Sequence, residues 1–160
     1  MGLSEVSSIL WRERQLLELL LFKLEEEQLL LAAGRTRWLP HATREVDRVL
    51  AQVKNGEIAR AMEVEATALD LHLPANPSLN QLVDAAPAPW KAILADHREA
   101  FLTLSQEITA LAEANRDLLN RGFLATREAL SWLGEAEPQT YSADGATKST
   151  ATSRLLDRVI

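Results

Sequence analysis

The sequence contains no cysteine, which excludes disulfides, thiolate catalysis and cysteine-based zinc sites. Valine and isoleucine together number only 12 of the 160 residues, so few β-branched side chains are available to build a sheet. A β-rich fold and a doubly wound α/β fold are therefore excluded. The absence of cysteine also agrees with a reducing compartment.

Dense positive charge is missing as well. Lysine and arginine number 17 against 23 aspartate and glutamate, which gives a net charge of −6, and the basic residues form no run. Nucleic acids and anionic membranes are bound through such patches, so we expect neither as a partner. The start, MGLSEVSSIL, lacks the parts of a secretion signal, and no apolar run approaches the ~20 residues of a membrane span. The sequence predicts a soluble cytoplasmic protein without membrane insertion.

Motifs for catalysis and for metal or cofactor binding are also missing. The chain has no Gly-x-Ser-x-Gly elbow, no phosphate-binding P-loop and no Gly-x-Gly-x-x-Gly. A di-iron site in a helical bundle needs Glu-x-x-His on two helices. Trp38, Leu69 and Leu94 stand three residues before the three histidines instead. We therefore expect no catalytic residue, no metal, no cofactor and no enzymatic activity.

What the chain does contain is typical of long helices. Alanine, leucine, glutamate, arginine and lysine make up 86 of 160 residues, or 54%. The first helix is predicted to begin at Ser4 or Ser7 and to end near Gly34. Alternating steps of three and four residues meet an apolar side chain at seven of nine positions, which is a heptad seam. The nine positions are Leu3, Val6, Leu10, Glu13, Leu17, Leu20, Leu24, Glu27 and Leu31.

A second long helix is predicted from Pro40 to about His72, weakened at Gly56. A short helix from Leu79 to Ala86, capped by Ser78, follows in a proline-rich connection. The second helix shows helical apolar periodicity on both sides of Gly56. Its periodic apolar residues are Val46, Val49, Leu50, Val53, Ile58, Ala61, Met62, Val64, Ala68, Leu69 and Leu71.

The last helix, over about residues 89–133, carries the longest seam. Ten of its thirteen seam positions are apolar, and His97, Asn115 and Gly122 are the exceptions. We therefore predict an all-α fold for residues 1–134, with long antiparallel helices in a coiled-coil-like bundle and a short helix in the connection. Residues 135–160 are rich in Ser, Thr and Ala, with Tyr141 as the one aromatic, and are expected to form a disordered, flexible tail.

Each of the polar residues within the seams allows two interpretations, a structural role or a functional one. His97, between Asp96 and Glu99, is read as a core histidine with a hydrogen bond across the bundle rather than a metal ligand or acid–base group. Asn115 is read as a buried polar residue that sets helix register rather than a ligand contact. The three consecutive glutamates 25–27 point in different directions around a helix, which favours a solvated acidic face over a catalytic pair.

A second apolar face on the last helix is the best candidate for binding. This distal face consists of Leu119, Phe123, Leu130 and Leu133, with Trp132 beside it. Either the first helix or a second copy of the chain covers it, or it is free to dock a helix of a partner. Tyr141 in the tail either offers a second contact or is incidental to binding.

Several runs of residues resemble the FlgN-type flagellar export chaperones. The resemblance covers roughly residues 3–134, and the tail around Tyr141 is compatible with it. It is carried by residues 10–27 (LWRERQLLELLLFKLEEE), 33–40 (AGRTRWLP), 95–101 (ADHREAF) and 114–119 (ANRDLL).

The resemblance implies a cytosolic chaperone of the flagellar type III secretion system, built as a long antiparallel helical bundle. Such proteins bind terminal helical segments of hook–filament junction proteins, prevent premature assembly and deliver them to the export gate. The C-terminal part of the family carries substrate binding, and a tail aromatic is linked to gate docking. Here Leu119–Leu133 and Tyr141 match those regions. The alternative is a constitutive structural coiled coil without a client, in which a homodimer covers the distal face.

Overall fold

Four helices account for most of the described part of the chain, residues 2–136 of this computed structural model. They are α1 (Gly2–Ala32), α2 (Leu39–Asp70), α3 (Leu79–Ala85) and α4 (Trp90–Ala136). Those residues include no strand, and the predicted all-α bundle is confirmed. By its contacts the chain divides into two compact units, Met1–Asn120 and Arg121–Ile160.

Helix α1 begins earlier than predicted, at Gly2 rather than at Ser4 or Ser7. Neither serine acts as a cap, because both lie inside the helix, where the Ser4 hydroxyl donates to the Glu5 carboxylate and Ser7 is buried against His97. The predicted end is confirmed. Gly34 has φ 64°, and the amides of Gly34 and Arg35 donate to the carbonyls of Leu31 and Leu30, which closes a Schellman turn.

Helix α2 has Pro40 in its first turn and continues through Gly56 to Asp70. Glycine at position 56 has a packing role, because a Cβ there would lie 3.3 Å from Cγ of Glu13 on α1. The helix ends in a second Schellman turn, with His72 at φ 55° and the Leu73 amide donating to the Ala68 carbonyl.

Helix α3 does more than connect α2 to α4. Ser78 and Gln81 form the capping box at its start, where the Gln81 amide donates to the Ser78 hydroxyl and the Ser78 amide donates to the Gln81 side chain. Leu82 of α3 is 1% exposed and belongs to the main core cluster. Helix α3 therefore contributes a side chain to the core in addition to connecting α2 to α4.

The core of the first unit follows the predicted seams. All nine seam positions of α1 are buried or half-buried, and the seam of α4 is buried or half-buried from Trp90 to Leu118. Two clusters fill it. One consists of Val6, Leu10, Val64, Leu82, Ala86 and Leu94, and the other of Leu20, Leu24, Val46 and Val49.

Polar contacts between helices define the direction of α4 in this unit. Ser7 pairs with His97, and Leu24 pairs with Asn115 further along both helices, so α4 runs parallel to α1. Glu13 pairs with Arg60 and Lys23 with Glu45, so α2 runs antiparallel to α1. The long helices thus alternate in direction along the chain, as an antiparallel bundle requires.

The apolar periodicity of α2 divides between two faces rather than one. Val46, Val49, Val64 and Ala68 are buried, as expected for the core face. Val53 is half-buried against the second cluster, whereas four other large apolar residues are 46–76% exposed. These residues are Leu50, Ile58, Met62 and Leu69.

Candidate functional site

His97 is a core residue in the structure. It is completely buried on α4, its Nε2 lies 3.4 Å from the Ser7 hydroxyl of α1, and its ring meets Trp11 edge-on at 4.9 Å. Burial lowers the pKa of His97 below its ordinary value, and the positive charge of Arg14 lowers it further, while Asp96 opposes both. The structure therefore matches the core reading of this histidine, with a hydrogen bond across the bundle.

The lowered pKa of His97 predicts a stability that depends on pH. Because the native pKa lies below the unfolded value of 6.5, the unfolded state takes up the proton first. The contribution of His97 to the free energy of unfolding is complete above pH 6.5 and is lost as the pH falls toward the native pKa, by up to about 1.4 kcal/mol per unit. Urea unfolding between about pH 7.5 and 5.5 measures it.

The matched variant for this measurement is His97→Gln, which keeps a polar side chain of similar size and does not titrate. Glu13 and Glu27 have raised pKa values and change stability in the opposite direction, so the difference between the parent chain and the variant isolates His97. An identical pH slope in both proteins would contradict the assignment.

Asn115 lies buried on the inner face of α4 and ties this helix to α1. Its side-chain amide donates to the backbone carbonyl of Leu24 over 2.9 Å. A buried polar group bound in this way penalises a shift of one helix along the other, because the shift would leave the amide without a partner. The observed contact supports the register role expected of Asn115.

Two glutamates in the α1 seam are buried, which the periodicity of the sequence did not explain. Glu13 is 3% exposed and accepts from Arg60 of α2 over 3.0 Å through Oε2, while Oε1 has no partner among the described residues. Burial raises the pKa of Glu13, and Arg60 lowers it in part. Burial also raises the pKa of Glu27, while the Asn115 amide beside it acts the other way. The prediction that glutamates 25–27 form a solvated acidic face is therefore wrong for Glu27, which is buried.

A cavity of about 380 Å³ opens beside Glu13 and is lined by residues of all four helices. It has an apolar wall that includes Leu17, Val53 and Phe101, and its charged groups are balanced, with Glu13 and Glu57 against Arg60 and Arg98.

Among the described side chains, no group of three or more His, Asp or Glu residues is placed to hold a metal ion. In the described region no helix is long and apolar enough to span a membrane.

The distal face is exposed in the structure. Its members and Trp132 are 41–70% exposed, although they are large and apolar. At 100° per residue, Phe123, Leu130 and Leu133 fall within a sector of about 80° on the part of α4 that belongs to the second unit. Trp132 lies on another side of the helix, and so does Leu124, which is 61% exposed and is not part of the predicted face.

The strip beside the distal face is lined by small residues. Gly122, Ala125 and Ala129 continue the α4 seam, and all three are exposed. Small side chains let the backbone of a second helix approach closely, so the strip and the distal face together offer one broad apolar surface. Tyr141, expected to make a second contact, lies outside the described residues.

Comparison with known proteins gives one family. A family model described as FlgN protein matches residues 1–149. This range includes the whole described part of the chain and extends past Tyr141. Neither the curated proteins nor the solved structures include a match to this chain.

Proposed function

We propose a specific task for this chain, which belongs to the FlgN family and therefore has a general role as a flagellar export chaperone. It binds terminal helical segments of hook–filament junction proteins, prevents their premature assembly and delivers them to the export gate. The family is one of chaperones rather than enzymes, and this task needs no catalytic group.

The observation that carries the proposal is the exposure of the distal face. Phe123, Leu130 and Leu133 are 45–68% exposed along about three turns of one helix. Exposed apolar surface that is contiguous along a helix marks a site of interaction, because its exposure to water costs free energy that a partner recovers. An amphipathic client helix has the matching shape and chemistry.

The client would lie along α4 and bury the distal face together with the small-residue strip. Gly122 and Ala129 permit close contact between the two helix backbones, while Phe123 and Leu130 supply most of the apolar area. Part of this gain offsets the entropy lost when a client segment becomes ordered. We expect the resulting affinity to be sufficient to shield the client segment and still to permit its release.

Delivery to the export gate is assigned to the segment that follows α4. We propose that Tyr141 makes this contact, as the family resemblance implies, since an aromatic side chain with a hydroxyl combines apolar area with a polar group. A Tyr141→Ala variant separates the two steps. It should bind a junction protein as the parent chain does and fail to bind the gate protein.

Calorimetric titration of a purified junction protein tests the proposal. The protein is added to the full chain and to a version that ends at Gly134, which retains Phe123, Leu130 and Leu133. We expect both to bind, with at most a few-fold weaker affinity for the shorter chain if tail residues add contacts. Absence of binding to both, together with a dimer that does not dissociate on dilution, would favour the structural coiled coil instead.

A further inference from the structure

The outer side of α1 carries a second heptad pattern, which neither the fold nor the proposed function uses. Alternating steps of four and three residues from Trp11 define this outer seam, and all six of its side chains are exposed. At 100° per residue they fall within a sector of about 80°, on the side of α1 away from its buried seam, and extend over about five turns. The six residues are Trp11, Gln15, Glu18, Phe22, Glu25 and Leu29.

Three of the six side chains are large and apolar. Trp11, Phe22 and Leu29 are 49%, 52% and 70% exposed. A soluble domain seldom exposes a row of large apolar side chains along one helix without a partner, and buried aromatic residues are the usual anchors of protein interfaces. The outer seam is therefore a candidate surface for a second helix.

The two aromatic side chains of the outer seam are held in place by neighbouring cations. The Arg14 guanidinium lies 4.6 Å from the centre of the Trp11 ring, and the Lys23 ammonium lies 5.4 Å from the centre of the Phe22 ring. Both cations are fixed in turn by ion pairs with acidic side chains. Side chains that are ordered before binding lose less entropy when a partner covers them, which favours association.

Two glutamates determine what a partner of the outer seam must carry. Glu18 and Glu25 lie in the seam between Trp11 and Leu29, and among the described side chains neither forms an ion pair. A helix that covers the seam would take both carboxylates partly out of water, at a cost that a positive charge opposite each of them offsets.

We propose that the outer seam binds a basic amphipathic helix of a different protein as a coiled coil. That helix carries large apolar residues opposite Trp11, Phe22 and Leu29, and lysine or arginine opposite Glu18 and Glu25. Polar or charged residues at core positions of a coiled coil select the partner at some cost in stability. The outer seam shares no residue with the distal face, so this inference does not rest on the proposed function.

The same two glutamates disfavour the pairing of the outer seam with its own copy. A parallel pair would place Glu18 against Glu18 and Glu25 against Glu25. An antiparallel pair about an axis near residue 20 would place Glu18 against Phe22 and Glu25 against Gln15, so that neither carboxylate meets a positive charge in the seam. The charges therefore favour a cationic helix of different sequence.

Calorimetric titration of synthetic helical peptides into the full chain tests the proposal. The probe, called the lysine peptide, has three heptads with leucine in the core layers that face Trp11, Phe22 and Leu29, and lysine in the layers that face Glu18 and Glu25. Asparagine faces the remaining layer. The peptide is made with the core order of a parallel pair and with that of an antiparallel pair, and we expect one of the two to bind. The glutamate peptide, with glutamate in place of each core lysine, should bind at least about tenfold more weakly.

Charge exchange on the chain should reverse this preference. Glu18→Lys with Glu25→Lys should lose the lysine peptide and bind the glutamate peptide, since each contact again joins opposite charges. Glu107→Lys with Glu113→Lys is the matched control, because it makes the same change of charge at two exposed positions of α4. The control should still prefer the lysine peptide.

Two further variants locate the peptide on the chain. Phe22→Asp should weaken binding of the lysine peptide at least about tenfold, because a charge replaces an apolar anchor in the seam. Phe123→Asp with Leu130→Asp changes the distal face alone and should bind this peptide as the parent chain does. Thermal melting of each variant separates a loss of binding from a loss of fold.

Three outcomes would overturn the proposal. Absence of binding by the lysine peptide in both core orders would remove the outer seam as a site for a basic helix. Equal loss of binding in the Glu18/Glu25 and Glu107/Glu113 variants would mean that net charge alone attracts the peptide. Loss of binding in the Phe123/Leu130 variant would place the peptide on the distal face instead.

Discussion

Replacing Phe123 and Leu130 together by aspartate should abolish client binding and leave the helix content and melting temperature of the chain nearly unchanged. Both side chains are exposed, at 68% and 45%, so their removal takes little packing from the fold. Each would be buried by a client helix, and two charges would then lie in an apolar interface. We expect affinity for a junction protein to fall at least about 100-fold.

The matched control is Leu124→Asp with Ser131→Asp. These two positions are also seven residues apart on α4 and are exposed, but they lie about 100° away from the distal face. The control adds the same negative charge to the same helix and should bind the client normally in calorimetric titration. Equal loss of binding in both variants would point to charge repulsion, and unchanged binding in both would remove the distal face from the proposal.

Replacing Leu94 by alanine should destabilise the fold more than any exposed leucine-to-alanine change. Leu94 is completely buried and belongs to the cluster of Val6, Leu10 and Leu82, where α1, α2, α3 and α4 supply side chains. Truncation removes apolar burial and leaves a cavity that rigid helices fill poorly, so the free energy of unfolding should fall by about 3 kcal/mol. The melting temperature should drop by ~10 °C.

Urea unfolding followed by circular dichroism measures this loss. Leu29→Ala is the control, since Leu29 is a leucine of similar helical context with 70% of its surface exposed, and it should change stability by less than about 0.5 kcal/mol. If Leu94→Ala cost no more than the control, the α3–α4 end of the bundle would not be packed as described. A reduced denaturant slope would indicate instead that this end unfolds separately.

The helices and the polar residues of the seam were predictable because their signals are local. Leu94, His97 and Asn115 recur at steps that place them on one side of a helix, and a helix of that length must bury that side. Ser78 three residues before Gln81 is likewise a short-range pattern with one common structural meaning. Periodicity therefore predicted where the long helices run and which side of α1 faces inward. Ser78 predicted the start of the short helix α3, whereas the serine caps predicted for α1 were wrong.

The burial of Glu13 and Glu27 could not be predicted from local sequence patterns. Glu13 occupies a seam position because Arg60, 47 residues away, reaches it from α2 and because Gly56 has no side chain to exclude it. Nothing near Glu13 in the sequence indicates this partner. The solvated-face reading failed at Glu27 for the same reason, since its burial depends on neighbours from another helix.

The sequence by itself determined that this protein is a helical bundle, which leucines form its seams and that it resembles the FlgN family. Only the tertiary structure decided which of the remaining apolar residues are exposed. Ile58 and Val64 belong to one periodic pattern on α2, yet one faces outward and the other packs in the core. Periodicity relates residues on one helix to each other, whereas burial depends on how many neighbouring helices surround that helix.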